Sequence, residues 1–443
     1  MQTHFTLKQL QDPRLAEADS IIQSCQHFGF CTATCPTYTL LGDENDAPRG
    51  RIDLSREMLE AGGAPTAKTV GHIDRCLSCA ACMTTCAVRV DYLHLIDRAR
   101  AHIETHYRRP LPERLLRALL ARVLPYPARF AAALRAARLL RPFARLAPGR
   151  LASMLALGGR QARGSEADLA PGVYPAQGRR RFRVALLAGC AQRVLAPEIN
   201  RATLRLLTRH GCEVVVAPSA GCCGSLALHM GREAQAQAAA RQNVRAWGPL
   251  ELDAIIVNAS GCGTTVKDYD HLLQHDAGCA GEAARLSALA ADISEFIASI
   301  GLNAPPAPRR IAVAYHDACS LRNVQRVTRQ PRDLLSQAGF AVKDVPESQF
   351  CCGSAGTYNL LQPRIAAQLG ARKAAHAQST GAAVIAAGNL GCTVQIGLYA
   401  QLPVVHTVQL LDWATGGPLP AALEGIELRE EAPPPPAAAQ GFW

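Results

Sequence analysis

The sequence predicts an α+β multidomain chain, with a helical cysteine-bearing N-terminal domain followed by two copies of one α/β unit. Three observations carry this. Seven cysteines crowd between Cys25 and Cys86. Cys190, Cys222 and Cys223 recur 129 residues later as Cys319, Cys351 and Cys352, and Cys262 recurs 130 later as Cys392. Between the first block and the repeat lies an arginine-rich stretch broken by prolines.

The 443 residues are too many for one small module. A hydrophobic content of 49% with 19% charge describes folded cores and excludes a disordered chain. The opening segment MQTHFTLKQLQDPRL has no apolar run, so no signal peptide is expected. The long uncharged stretch after Lys373 is interrupted by Gly388, Asn389 and Gly391, and reads as strand, turn and helix instead of a membrane span. Seventeen cysteines without a secretory signal point to metal or redox chemistry in a reducing cytosol.

The N-terminal block contains the run Cys76-Leu-Ser-Cys79-Ala-Ala-Cys82-Met-Thr-Thr-Cys86. Three cysteines at steps of three wrap a tight loop around a cubane, and in two-cluster ferredoxins the fourth reaches the neighbouring cluster. Structural zinc sites use two separated C-x₂-C pairs instead. The first copy, Cys25-Gln-His-Phe28-Gly-Phe-Cys31-Thr-Ala-Thr-Cys35, carries phenylalanine where its second cysteine belongs. With crossed fourth ligands, Cys76, Cys79, Cys82 and Cys35 form a complete set for a [4Fe-4S] cluster. Cys25, Cys31 and Cys86 are one thiolate short, which suits a [3Fe-4S] or a labile [4Fe-4S] cluster. His27 is not expected to replace the missing ligand, because a sequence neighbour points elsewhere. The Phe28 ring is expected to be accommodated near that cluster.

The repeats at Cys190 and Cys319 each hold a Cys-Cys-Gly. Apolar runs precede the first and last cysteine of each copy, as in RVALLAGC and AVIAAGNLGC, with helical patterns between them. Such runs read as buried parallel strands whose ends carry the cysteines. Cys190, Cys222, Cys223 and Cys262, and likewise Cys319, Cys351, Cys352 and Cys392, are candidates for a further cluster or metal, weighed against buried free thiols. Cys212 and Cys279 have no counterpart and read as structural. His316 and Asp317 either orient the second site or form an ordinary strand end with a satisfied histidine; the latter is the expectation.

Eleven of the 47 basic residues lie between Arg114 and Arg163, a stretch without lysine, aspartate or glutamate. The remaining 36 are matched by 36 acidic residues, so this segment carries the whole net charge of +11. Arginine beside leucine without counter-charge suits an amphipathic helix on anionic lipid, or a solvated or partner-facing surface. No nucleic-acid partner is expected.

The strings CTATCPTYTLLGDENDAPRGRIDL, CLSCAACMTTC and VDYLHLIDRAR, with the two Cys-Cys-Gly repeats, resemble the glycolate oxidase (glycolate dehydrogenase) iron–sulfur subunit family along nearly the whole chain. The segment GDENDAPRGRI is the most discriminating; the general cysteine layout is shared with lactate-utilisation, glycerol-3-phosphate dehydrogenase and heterodisulfide reductase subunits. In the heterodisulfide reductases these repeats hold noncubane clusters and end in C-x₂-C, whereas Ala259 and Asn389 stand at the first position of that pair here. The resemblance implies an electron-transfer subunit whose FAD-binding partners oxidise glycolate to glyoxylate and whose electrons leave towards quinone. The substrate site is then on the partners, and no catalytic residue is expected here; the chain has no Gly-x-Gly-x-x-Gly after a strand. The alternatives are a related lactate or glycerol-3-phosphate dehydrogenase subunit, or a non-catalytic cluster-binding sensor or scaffold. The expected organisation is a ferredoxin-like two-cluster domain (1–107), an Arg-rich helical linker (108–180), Cys-Cys-Gly domains (181–303 and 307–418) and a Pro/Ala-rich tail (419–443). A cytoplasmic location is expected, with peripheral attachment to the inner face of the membrane through the arginine segment.

Overall fold

The computed structural model describes residues 1–140, 169–303 and 310–428. The N-terminal part is helical, and three of its helices, Pro13–Ser24, Pro36–Leu41 and Pro48–Ala61, start with proline at the first turn, where the missing N–H removes no helical bond. Ile52 and Leu59 from one helix and Leu95, Ile96, Ala99 and Ile103 from Tyr92–His106 repeat at helical spacing and close a core with Ile22 and Ile73. Cys25, Cys76 and Cys82 belong to that core.

Two further helices, Leu111–Val123 and Pro127–Leu140, are separated at Pro125 and Pro127 as proline requires. Their inner faces bury Arg117, Leu120, Ala121 and Phe130. Arg141, Arg145, Arg150, Arg160 and Arg163 lie outside the described residues, as does most of the C-terminal tail.

The remaining described residues build two sheets. The first contains β1 (Gly172–Tyr174), β2 (Phe182–Leu186), β3 (Cys212–Val216), β4 (Ala254–Val257) and β5 (Ala290–Asp292), in spatial order β1-β3-β2-β4-β5. Among the described strands only β1, from within the expected linker, runs antiparallel. The second contains β6 (Ala312–His316), β7 (Ala341–Asp344), β8 (Val384–Ala387) and β9 (Val404–His406), in order β7-β6-β8-β9, all parallel. Strands β2 to β5 and β6 to β9 therefore repeat one topology, which explains the offset of 129 in the cysteines. Strands β4, β6 and β8 are buried along their whole length, as strands covered by helices on both faces must be.

The two halves share one apolar core that includes Leu206, Leu207 and Val214 of the first and Val313, Leu334, Val408 and Leu411 of the second. Helix Pro197–Arg209 lies against helix Thr407–Ala414 in this seam. There the buried Asp412 carboxylate accepts from Arg205 Nε at 2.8 Å and is also bound by Arg209. No helix among the described residues is long and apolar enough to cross a membrane.

Candidate iron–sulfur and thiol sites

The N-terminal thiols fall into two neighbouring groups. Cys79 and Cys82 are buried beside Cys76 and Cys35, and burial raises both thiols well above their ordinary value. Cys25 and Cys31 face each other and Cys86; burial raises Cys25 and pushes Cys31 up to about 11. Cys31 also neighbours Cys82, so the groups adjoin. Thiols that resist ionisation in isolation need a cation to become thiolates, which is how metal binding couples to proton release. Phe28 is not packed over these thiols. Its ring is 60% exposed and 6.2 Å from that of Phe30, because the loop turns through the left-handed His27 and Gly29 and throws the side chain outward. The His27 ring turns towards Asp53, 3.8 Å away.

The segment GDENDAPRGRI supplies the scaffold for this pair of groups. Arg51 is 1% exposed and its Nη2 lies 3.3 Å from Asp46 Oδ1. Arg75 Nη1 donates to the other oxygen of Asp46 at 2.7 Å, and His72 Nδ1 lies 3.1 Å from the carboxylate. Arg51 also donates from Nε to the His72 carbonyl at 2.8 Å and from Nη2 to Thr37 Oγ1 at 3.1 Å. Burial works against this charge, yet Tyr92, Cys76, Cys35 and Asp46 together raise Arg51 above its ordinary value. Gly50 is required because a Cβ there would stand 2.2 Å from the Glu44 carbonyl oxygen. On the other flank Arg100 Nη2 donates to the Cys76 carbonyl at 2.6 Å, and Tyr92 Oη to Cys76 Sγ at 3.6 Å.

In each sheet the cysteines gather at the carboxyl ends of the strands. Cys190 and Cys319 follow β2 and β6; the adjacent pairs follow β3 and β7. Cys262 and Cys392 occupy the first turns of helices Ser260–Lys267 and Leu390–Gly397, where the helix dipole favours a thiolate. Gly224 and Gly353 have φ of 94° and 87°. A Cβ on them would lie 3.0 Å and 2.7 Å from the carbonyl oxygens of Ala236 and Ala366. Their N–H groups donate to Cys222 and Cys351 Sγ at 3.4 Å. Within the first set, hydrogen bonds from Cys190 and Cys223 hold Cys222 below the usual thiol value. In the second, Sγ of Cys319 and Cys351 are 3.8 Å apart.

Ala259 offers no ligand, but Asn389 Nδ2 donates to Cys392 Sγ at 3.4 Å. Cys212 and Cys279 lie in the apolar cores. The expectation for His316 fails: its ring is fully buried, and among the described residues neither ring nitrogen has a hydrogen-bond partner. Asp317 does not supply one because Arg332 holds it, with contacts of 2.8 and 2.6 Å.

Both thiol sets open on one cavity of about 230 Å³ between the halves. Cys190, Cys223 and Cys262 line one side, and Cys319, Cys351, Cys352 and Cys392 the other. Leu124 and Phe130 from the arginine-rich helices line it, as do Leu77 and Ser78 from the N-terminal loop. That loop meets the second half directly. Cys79 packs in one cluster with Cys351 and Cys319, Asn323 Nδ2 donates to the Cys79 carbonyl at 2.8 Å, and Tyr358 Oη donates to the Arg75 carbonyl at 2.9 Å. The first half is held by other contacts: a Cβ on Gly231 would meet the Arg100 carbonyl oxygen at 2.3 Å, and Arg117 Nη2 donates to the Met230 carbonyl at 2.9 Å. Asn323, Tyr358 and Gly231 carry no local signal, since only docking gives them a role.

A helical domain with two thiol groups, joined to a duplicated thiol-lined α/β body, defines an iron–sulfur component of an oxidoreductase complex. Residues 24–91 match the family described as a 4Fe-4S dicluster domain, and residues 184–267 and 313–397 each match the cysteine-rich domain. Over 417 residues the chain is 40% identical to the glycolate oxidase iron-sulfur subunit of Escherichia coli, covering 94% of this chain and 99% of that one. It is 31% identical over 444 residues to the probable glycolate oxidase iron-sulfur subunit of Bacillus subtilis, with the same coverage. Lactate utilization protein A of Halalkalibacterium halodurans is 28% identical over 239 residues, which is 52% of this chain and 97% of that protein. A hypothetical protein from Helicobacter pylori shares the fold at a TM-score of 0.53 and 10% identity, covering 93% of this chain and 74% of that one. The chain belongs to the glycolate oxidase iron–sulfur subunit family.

Replacing Asp46 with asparagine leaves Arg51 buried without its counter-charge, a change that costs about 3–5 kcal/mol when a buried pair loses one partner. Anaerobic denaturant unfolding should show an earlier transition, and iron per chain should fall. A midpoint and iron content equal to those of the unaltered chain would deny the pair this role.

Proposed function

We propose that this chain is the electron-transfer subunit of a glycolate dehydrogenase complex, receiving electrons from an FAD-binding partner that oxidises glycolate to glyoxylate and delivering them towards quinone. The observation that supports it is the unbroken adjacency of thiol groups: Cys25, Cys31 and Cys86 beside Cys35, Cys76, Cys79 and Cys82, the latter set against Cys319 and Cys351, and these across one cavity from Cys190, Cys223 and Cys262. The four buried thiols around Cys76 fit a [4Fe-4S] cluster, and the three around Cys25 fit a [3Fe-4S] cluster or a [4Fe-4S] cluster with one corner unligated by cysteine. The Cys-Cys-Gly sets fit a further cluster or metal. When bound, such groups supply one-electron transfer. The chain's own contribution is to exclude water from Cys79 and Cys82, to hold the Arg51 charge beside Cys76 and Cys35, and to fix the Cys79 loop on the second half through Asn323.

The test is co-purification with the FAD-binding subunits and assay of glycolate-dependent reduction of a quinone analogue. Cys79→Ser should abolish it and remove the reduced four-iron EPR signal, with glycolate oxidation by an artificial acceptor at the flavin retained. Unchanged quinone reduction would sink the relay; equal or better turnover with lactate or glycerol 3-phosphate would move the chain to a related dehydrogenase.

Phe28 gives a separate expectation. As isolated in air, the protein should show an oxidised three-iron EPR signal beside the four-iron cluster, and Phe28→Cys should convert it to a second reduced four-iron signal. Because the ring is solvent-exposed, this change should leave the unfolding midpoint nearly unmoved. Iron for one cubane only in the N-terminal block, without a three-iron signal, would mean the first group is empty.

Membrane association completes the reading. Leu111, Leu115 and Leu119 form an exposed stripe along one face of helix Leu111–Val123, in the segment that carries the net charge. Apolar stripe and unbalanced arginine together fit an anionic lipid surface of the cytoplasmic face. Neutralising Arg135, Arg138, Arg141 and Arg145 together should release the protein from vesicles containing anionic lipid at moderate salt. Binding indifferent to those changes would remove the lipid reading and leave the face to a protein partner or to solvent.

A further inference from the structure

The two Cys-Cys-Gly halves are not chemically equivalent, and one difference is a histidine. His316 ends strand β6 and is 1% exposed. Among the described residues neither its Nδ1 nor its Nε2 meets a hydrogen-bond partner, a state that buried polar groups in folded proteins rarely occupy. One ring nitrogen and the Sγ atoms of Cys352 and Cys392 all lie within 4.8 Å of one another. In the first half the matching position, 129 residues earlier, is Leu187, which is buried and apolar. Packing at this point of the fold is therefore satisfied by a leucine, and the histidine adds only its ring nitrogens. The obvious polar partner, Asp317, is held by Arg332 and Arg322.

We propose that His316, Cys352 and Cys392 form a three-ligand site for a single thiophilic divalent ion, zinc or ferrous iron, with the fourth coordination position on the side of the cavity. Two thiolates and one imidazole are the donor set that such ions select, and harder ions such as magnesium or calcium do not. Binding forms one metal–nitrogen and two metal–sulfur bonds, and two thiol protons pass to solvent; no electron moves. The metal–thiolate unit is then neutral, which suits ligands buried as deeply as these three. Cys352 and Cys392 reach the cavity wall, whereas His316 lies behind them against the sheet, so the ion sits at the wall with its free position towards the cavity. Cys392 at the first turn of its helix, and the buried Lys373 ammonium near Cys352 and Cys351, both favour thiolates here. The helices that carry Gly224's and Gly353's neighbours Ala236 and Ala366 are offset by 130, so Lys373 matches the buried amide Asn243, and the first half has neither the ammonium nor the histidine.

This inference shares with the relay reading only the premise that Cys352 and Cys392 face a metal, and the two fail separately. The full-length chain, purified anaerobically, is weighed by native mass spectrometry as the wild type, His316→Ala and His316→Cys. His316→Ala should weigh less by one metal ion beyond the side-chain change, the missing mass naming zinc or iron, while the N-terminal cluster mass and EPR signals stay. His316→Cys offers a replacement thiolate and should keep the ion, which separates ligand loss from misfolding. In parallel, Cys352 and Cys392 should become alkylatable in His316→Ala and stay protected in His316→Cys. A full metal complement in His316→Ala would overturn the site, leaving the imidazole bonded to trapped water. Loss of an entire iron–sulfur unit would overturn the single-ion form, and loss of the ion from both variants together with the N-terminal clusters would trace it to misfolding and overturn the ligand role of His316.

Discussion

The buried Arg51–Asp46 pair is the constraint on which the N-terminal domain depends. A guanidinium 1% exposed is tolerable only if its donors are met and its charge is balanced, and here the partners come from separate stretches of chain: Thr37, Asp46 and the His72 carbonyl. Those stretches flank Cys35 and Cys76, so satisfying one arginine also sets the approach of the two loops that must close around the same group of thiols. Gly50 belongs to the same arrangement, because it lets the helix bearing Arg51 press against the Glu44 backbone. A positive charge held beside buried sulfur also stabilises the negative charge that forms when thiols ionise, and the same attraction raises Arg51 in return.

The duplicated body works by asymmetry. Each half brings the same three strand ends to one cavity, yet among the described residues the N-terminal loop is bonded to the second half, through Asn323, Tyr358 and the packing of Cys79 on Cys351. The first half instead meets the helix behind that loop, with Gly231 against the Arg100 backbone. Sequence divergence follows this division. His316 and Lys373 appear in the half next to the N-terminal thiols, and apolar Leu187 and the uncharged Asn243 take their places in the other. A duplication begins with equal halves; unequal neighbours then allow their chemistry to separate.

Much of the architecture was legible in the chain because cysteine spacing and strand periodicity are local properties. The steps of three at Cys76, Cys79 and Cys82, the repeat offset, and the interruption at Pro125 and Pro127 needed no knowledge of tertiary contacts. What escaped depends on docking or on the direction of one side chain. Phe28 was expected to be accommodated near the cluster because it stands where the motif has a ligand, but left-handed residues on either side rotate it into solvent. His316 looked like a strand end with a partner, and the competing claim of two arginines on Asp317 cannot be read from spacing. Strand β1 escaped because three residues beside an arginine-rich segment carry too little pattern, and its pairing with β3 is a long-range event.

The glycine of Cys-Cys-Gly has a consequence for how such motifs are interpreted across lineages. Gly224 and Gly353 sit where the chain adopts a left-handed turn and where a following helix leaves no room for a methyl group. Selection on that glycine therefore comes from steric fit and would continue in a descendant that had lost every ligand around it. Conversely, a copy could exchange its thiols for other donors while the glycine persisted on geometric grounds alone. The motif marks ancestry and backbone shape; the residues that face the cavity, which it does not include in full, mark what is held there.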